Sequence, residues 1–406
     1  MVLAVVLAAG SAAPAGADME MGLRAYAEGD YATAFREFKY DGSVEAQFNV
    51  GLMYSLGNGV RQDHREAASW YRKAAERGYP VAQYSLGLLY SRGEGVEHDQ
   101  KEAFRWYRKA AEQGHAIAQF NTGLMYERGE GVEQDRKEAV RWYRKAAEQG
   151  MVQAQFNLAL LYDKGEGVVK DGKEAAVWYR KAADQGYLPA QFNLSLLYDR
   201  GNGVNADRKE AIKWCRKAAD KGYAPAQFNL AILYDKGAGV KQDRKEAASL
   251  YRKAADKGLA GAQLNLGILY SRGEGVKQDL MEAMRWFRKA ADRGLAAAYY
   301  DIGTMYEAGE GVQQNGREAA GWYLKGAEQG DPDAMFALGT LYYDGKGVAR
   351  DLDEAAKWFL KAAELGLAKA QLKIGIMYDK GEGVKQDPFL AAKWYRKAAE
   401  AHIKVH

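Results

Sequence analysis

The chain has little of what many folded proteins of its length rely on. Among 406 residues there is one cysteine, Cys215, so no internal disulfide can form. Six prolines leave few breaks in regular backbone, while Ala, Leu, Glu, Lys and Arg are common, which favours helix over strand. The 58 basic and 54 acidic residues nearly cancel, and no block of like charge occurs. The electrostatic footprint of a nucleic-acid binder is therefore missing. The apolar run Val2 to Ala9 is far too short to span a bilayer, and no transmembrane segment is expected. Five histidines (His64, His98, His115, His402 and His406) show no metal-ligand spacing.

What is present is a period. Ala-Gln-Phe and its close relatives recur every 36 residues, starting at Ala46, Ala82, Ala118, Ala154, Ala190, Ala226, Ala262, Ala298, Ala334 and Ala370. Ten units follow without insertion: 46–81, 82–117, 118–153, 154–189, 190–225, 226–261, 262–297, 298–333, 334–369 and 370–405. A period of this size marks a solenoid in which each unit touches only its neighbours. Residues found in every unit are then needed for stacking, and function sits in the remainder.

In the unit 118–153, Ala118 to Tyr126 reads as a short helix, A, ending at Gly129-Glu130-Gly131-Val132, whose glycines can take positive φ. Asp135 is placed as an N-cap with Glu138 three residues later, an acidic form of the capping box. A second helix, B, runs through Trp142, Tyr143 and Ala147 and stops at Gly150. One slot holds Tyr throughout: Tyr54, Tyr90, Tyr126, Tyr162, Tyr198, Tyr234, Tyr270, Tyr306, Tyr342 and Tyr378. All tryptophans share another slot, from Trp70 to Trp394, interrupted only by Leu250. Helices this short are marginal alone, so stacking must supply the stability. Cys215 stands where other units carry Tyr or Phe and reads as a small buried apolar group.

The run A-x-x-x-L-G-x-x-Y, G-x-G-V, D-x-x-E-A, W-Y-R-K-A-A, G resembles the Sel1-like repeat, a relative of the tetratricopeptide repeat, from Ala46 to Val405. The resemblance implies an all-α fold: an α/α solenoid, or superhelix, of ten helix-turn-helix repeats with A helices on the inner wall and B helices outside. It also implies a non-catalytic adaptor or scaffold for other proteins, often exported by bacteria. Some relatives carry a disulfide in each repeat, which this chain cannot form.

The ends differ from the repeats. Residues 1–17, with the run Val2 to Ala9 and Ala15-Gly16-Ala17, resemble a signal peptide with an A-x-A site, although no basic residue follows Met1. A periplasmic or secreted location is the resulting expectation. Residues 18–45 read as an N-terminal capping helical pair with a clipped loop, since Tyr26 to Ala34 spans 8 residues where Tyr54 to Trp70 spans 16. At the far end His402 replaces the closing glycine, so Trp394 and Tyr395 are expected to be less covered, and self-association through the last repeat is a candidate.

On a helical wheel, the Ala, Leu, Gly and Tyr positions of helix A face the core. The opposite side gathers Phe120, Phe156, Phe192 and Phe228, then Asn121, Asn157, Asn193, Asn229 and Asn265, then Arg128, Lys164, Arg200 and Lys236. Asn can both donate to and accept from a peptide group, Phe offers apolar area, and charge selects among partners. These residues form a candidate concave groove for an extended polypeptide. A structural reading competes: the Phe row packs on the next A helix and the Asn row bridges within the stack. A binder of cell-wall glycan or muropeptide and an intracellular adaptor are the alternative functions.

Enzyme chemistry finds no support. The D-x-x-E pairs sit at helix starts, G-x-G lacks the third glycine and strand of a dinucleotide site, and no Ser-His-Asp or Cys-His set assembles. His64, His98 and His115 read as solvated surface. No cofactor or metal is expected.

Overall fold

A computed structural model describes residues 17–403, and the proposed signal segment lies outside the described residues except for Ala17. The chain divides into two compact units, one ending at Asp207 and one beginning at Arg208. All regular elements among the described residues are helices. The first unit holds α1 (Ala17–Ala27), α2 (Tyr31–Asp41), α3 (Val44–Leu56), α4 (His64–Glu76), α5 (Pro80–Arg92) and α6 (Gln100–Glu112). It continues with α7 (Ala116–Arg128), α8 (Arg136–Glu148), α9 (Val152–Lys164), α10 (Gly172–Asp184) and α11 (Leu188–Arg200). The second holds α12 (Arg208–Asp220), α13 (Ala224–Lys236), α14 (Arg244–Asp256), α15 (Ala260–Arg272), α16 (Leu280–Asp292) and α17 (Ala296–Ala308). Then come α18 (Gly316–Glu328), α19 (Pro332–Asp344), α20 (Leu352–Glu364), α21 (Ala368–Lys380) and α22 (Pro388–Ile403). Within each unit the helices stack as antiparallel hairpins, an α/α solenoid.

The hairpin α7–α8 shows why the sequence folds this way. Gly129 caps α7 in the left-handed region at φ 73° and donates its N–H to Met125. Gly131, at φ 70°, carries the stack itself: a Cβ there would lie 2.1 Å from the carbonyl oxygen of Gln100 at the start of α6. Only glycine allows the loop of one repeat to rest on the B helix of the repeat before it. At the inner crossing, a Cβ on Gly123 would lie 2.8 Å from the Tyr143 ring, so α7 and α8 approach as closely as a ring allows. Ala118, Ala139, Ala146 and Ala147 are all buried beside them.

Asp135 caps α8 as expected, accepting the N–H groups of Lys137 at 2.8 Å and Glu138 at 3.0 Å. The reciprocal half of the capping box is absent. The Asp135 N–H is already given to the Tyr126 carbonyl at 2.9 Å, a bond that closes the loop in the same way from Asp63 to Asp387. Glu138 instead accepts from Arg141 one turn on. The equivalent Glu174 and Glu282 take the indole N–H of Trp178 at 3.2 Å and Trp286 at 2.9 Å. The same Trp faces carry a lysine, with Lys145 Nζ 4.2 Å from the Trp142 ring centre, a contact worth about 0.5–1 kcal/mol at an exposed site.

The helices α1 and α2 pack with α3 around Ala25, Phe38, Val50 and Met53. At the other end Trp394 is as buried as its counterparts, against expectation, because α21 and α22 pack on each other as other hairpins do; Tyr395 is only half-buried. Cys215 is buried as expected.

Candidate functional site

The exposed side of the A helices combines a half-buried aromatic row, an amide row and a charged edge. Phe120, Phe156, Phe192 and Phe228 are each partly exposed, while Phe48 and Tyr84 in the same slot are buried. Three of these rings pair with a tyrosine on the second helix of their own hairpin: Phe120 with Tyr143 at 5.5 Å, Phe156 with Tyr179 at 5.7 Å and Phe228 with Tyr251 at 5.9 Å between centroids. Phe156 also meets Tyr187 edge-on at 5.2 Å, and a Cβ on Gly261 would lie 3.1 Å from the tip of Phe228. The row thus packs against the next A helix and still leaves one edge in solvent.

The amide row is tied into the stack. Asn193 donates from Nδ2 to the Tyr179 hydroxyl of the preceding repeat at 3.1 Å. Asn157 and Asn265 make the corresponding contacts to Tyr143 and Tyr251, while Asn121 reaches Tyr84 on the A helix of the preceding repeat. Burial pushes the Tyr251 hydroxyl up to about 12, so it stays protonated and can serve its neighbour. At Cys215 the hydroxyl is gone, and Asn229 Nδ2 lies 3.9 Å from the sulfur. All five amides are half-buried, so they bridge repeats while part of each stays in reach of solvent.

The charged edge closes each A helix. Arg128, Lys164, Arg200 and Lys236 are exposed. Arg128 lies 3.6 Å from Glu130 and Lys164 3.9 Å from Glu166, long surface pairs of little energetic weight. Asn202 and Ala238 replace the loop glutamate after Arg200 and Lys236. Between α13 and α15 these rows border a recess of about 330 Å³ lined by Ile232, Asp235, Lys236, Tyr251, Asn265, Ile268, Leu269, Arg272 and Glu274.

Sequence reasoning overlooked three contributors. The first is the repeated Gln beside the invariant Ala: Gln119 is buried and donates to the Ala111 carbonyl at 3.1 Å. The second is the Arg of W-Y-R-K, which reaches the invariant Tyr of the next repeat, as in Arg216 to Tyr234 at 2.8 Å and Arg288 to Tyr306 at 2.9 Å. Recurrence at a fixed offset was the available signal for both. The third is His115, read as solvated surface. It caps α7 through Nδ1 to the Ala118 N–H at 3.1 Å and stacks on Tyr84 at 5.0 Å, and burial lowers its pKa. Among the described residues no group of His, Cys, Asp and Glu could hold a metal, and no helix is long and apolar enough to cross a membrane.

Stacked helical hairpins with a repeated half-exposed face define an α/α repeat protein, a class that generally serves as a protein–protein interaction scaffold rather than a catalyst. The Sel1 repeat model matches ten times in succession, from 44–79 and 80–115 through 332–367 to 368–402, and the chain belongs to the Sel1 repeat family. Among solved structures it is similar to c5321, described as a protective antigen present in uropathogenic Escherichia coli strains. That likeness has 35% identity and TM-score 0.83, covering 95% of this chain and 86% of that one. It is also similar to a Sel1 repeat protein from Oxalobacter formigenes, at 37% identity and TM-score 0.62, covering 73% of this chain and 87% of that one. No curated protein matches the chain.

Proposed function

We propose that the protein is a non-catalytic scaffold that binds an extended polypeptide along the exposed face of its A helices. One observation carries this reading: aromatic edges, half-exposed amides and exposed charges recur together on that face at the repeat spacing. A peptide laid across the face meets apolar area at Phe120, Phe156, Phe192 and Phe228, hydrogen-bonding groups at the Asn row, and selection by charge at the rim. Apart from Asn229, the amides are already oriented by tyrosine hydroxyls, which lowers the ordering cost of binding. Residues 1–17 support export to the periplasm or beyond, a setting in keeping with the similar Escherichia coli protein being a protective antigen.

The test is capture from envelope extract with a photocrosslinking residue at Arg128 or Arg200, against a control at Lys137 on a B helix. Crosslinks confined to the A-helix positions are expected. A captured partner that binds unchanged to a folded Asn157→Ala, Asn193→Ala, Asn229→Ala variant shows the face to be misplaced. Prior muramidase treatment that abolishes capture assigns the face to glycan instead.

A further inference from the structure

In the first unit, the basic residue closing α5, α7 and α9 has a carboxylate of its own loop beside it. Arg92 lies 3.7 Å from Glu94, Arg128 3.6 Å from Glu130 and Lys164 3.9 Å from Glu166. The recess between α13 and α15 departs from this. Ala238 stands where the loop glutamate would follow Lys236. Glu274 keeps its slot, yet it is drawn to Arg244 at 3.4 Å, and Arg244 also holds Asp235 at 3.4 Å. One guanidinium thus occupies both carboxylates of the recess. Lys236 and Arg272 stand exposed on its rim, and among the described residues neither is ion-paired. Asp301 on the following A helix is an opposing charge that bears on Arg272. Burial beside Asp331 pushes its pKa up to about 7, so it is partly neutral near physiological pH.

The same recess is lined by the aliphatic side chains of Ile232, Ile268 and Leu269 and by Tyr251 and Asn265. A carboxylate entering here meets two cationic donors that form no ion pair within the recess, and an aliphatic neighbour packs on Ile232, Ile268 and Leu269. Resting on the peptide-binding reading above, we infer that this recess is a subsite for an acidic residue adjacent to Leu, Ile or Val in the bound polypeptide. Lys236 and Arg272 hold the carboxylate, and Arg244 keeps Asp235 and Glu274 from repelling it.

Selection of a phage-displayed random dodecamer library on the full chain tests the subsite. Recovered peptides are expected to carry Asp or Glu beside an aliphatic residue. Their affinity should fall about tenfold or more with Lys236→Glu plus Arg272→Glu, both exposed positions, and fall with rising salt. Lys236→Arg should retain binding. Arg244→Gln should weaken it without altering either rim cation, because two carboxylates are released into the recess. Each variant is compared at matched helicity and melting temperature. Peptides without acidic enrichment, or acidic peptides that bind the double variant equally well, overturn the subsite and leave the scaffold reading standing. Recovery of no specific peptide overturns both.

Discussion

Gln149 donates from Nε2 to the Oε1 of Gln119 at 2.7 Å and to the Gly114 carbonyl at 3.1 Å, while Gln119 passes its own Nε2 to Ala111. Two side chains thereby join the end of α8, the first turn of α7 and the end of α6. The relay repeats with Gln113 on Gln83 and Gln185 on Gln155. In the second unit Lys257 takes the place of Gln149. Its ammonium reaches the Gly222 carbonyl, but it leaves the Oε1 of Gln227 buried without a hydrogen bond.

Lys257→Gln should therefore stabilise the second unit. Glutamine at this position makes both bonds in the first unit, so the carbonyl contact is kept and the orphaned oxygen gains a donor. The expected gain is about 1 kcal/mol, the usual net value of one hydrogen bond. Gln149→Leu should cost about 1–3 kcal/mol by stranding the Gln119 oxygen. Because repeats unfold in parts, hydrogen exchange resolved along the chain is the measurement, with changes expected in the substituted repeat and its neighbours.

Gly131→Ala should be far more damaging than a surface alanine usually is. The residue sits at φ 70°, which costs an L residue about 1–2 kcal/mol, and its Cβ would collide with the Gln100 backbone. Ala at Gly150, also at positive φ but with nothing within 4 Å, bears the conformational cost alone. The difference between the two variants in chemical denaturation measures the inter-repeat contact. Equal losses would show that the loop does not press on α6.

Much of this fold was legible because each feature is written many times. The Asp135 cap, the glycine loop and the Tyr and Trp slots rest on local rules that need no knowledge of the neighbour. Glu138 was misjudged for the converse reason. Its target depended on whether the Asp135 N–H was free, and that donor goes to a carbonyl across the loop, on Tyr126. His115 looked like ordinary surface because only the folded hairpin brings Tyr84, from the start of the same repeat, flat against it. The candidate site was half legible. Wheel position found the Phe, Asn and Arg rows, but only the fold shows that Asn193 leans on a tyrosine of the preceding repeat, or that Arg244 removes two carboxylates from one recess.

Leu324→Arg should strengthen the second unit. In this slot Arg288 reaches the Tyr306 hydroxyl at 2.9 Å, but Leu324 leaves Tyr342 without that donor and is itself partly exposed. Arginine replaces solvent-facing apolar surface with a hydrogen bond and a cation–π contact. An increase of about 0.5–1 kcal/mol is expected. Thermal melts of the variant paired with Tyr342→Phe check the mechanism, since removing the hydroxyl should erase most of the gain.

Asp301 should make the second unit less stable as pH rises. It stands in the amide slot of α17, where Phe287 supplies no hydroxyl, and burial together with the Asp331 charge raises its pKa from the ordinary carboxylate range to about 7. Asp331 accepts the Ala334 N–H at 2.7 Å at the start of α19, and Arg272 offsets only part of its effect on Asp301. The folded state therefore binds a proton that the unfolded state has released between about pH 4 and pH 7. Stability falls across that window and the full penalty is present above it. Asp301→Asn removes the titration, so the variant and the parent should match near pH 4 and diverge by about 1–3 kcal/mol at pH 8. Urea unfolding followed across that range decides it: parallel pH profiles would mean that Asp301 finds a compensating charge in the folded protein.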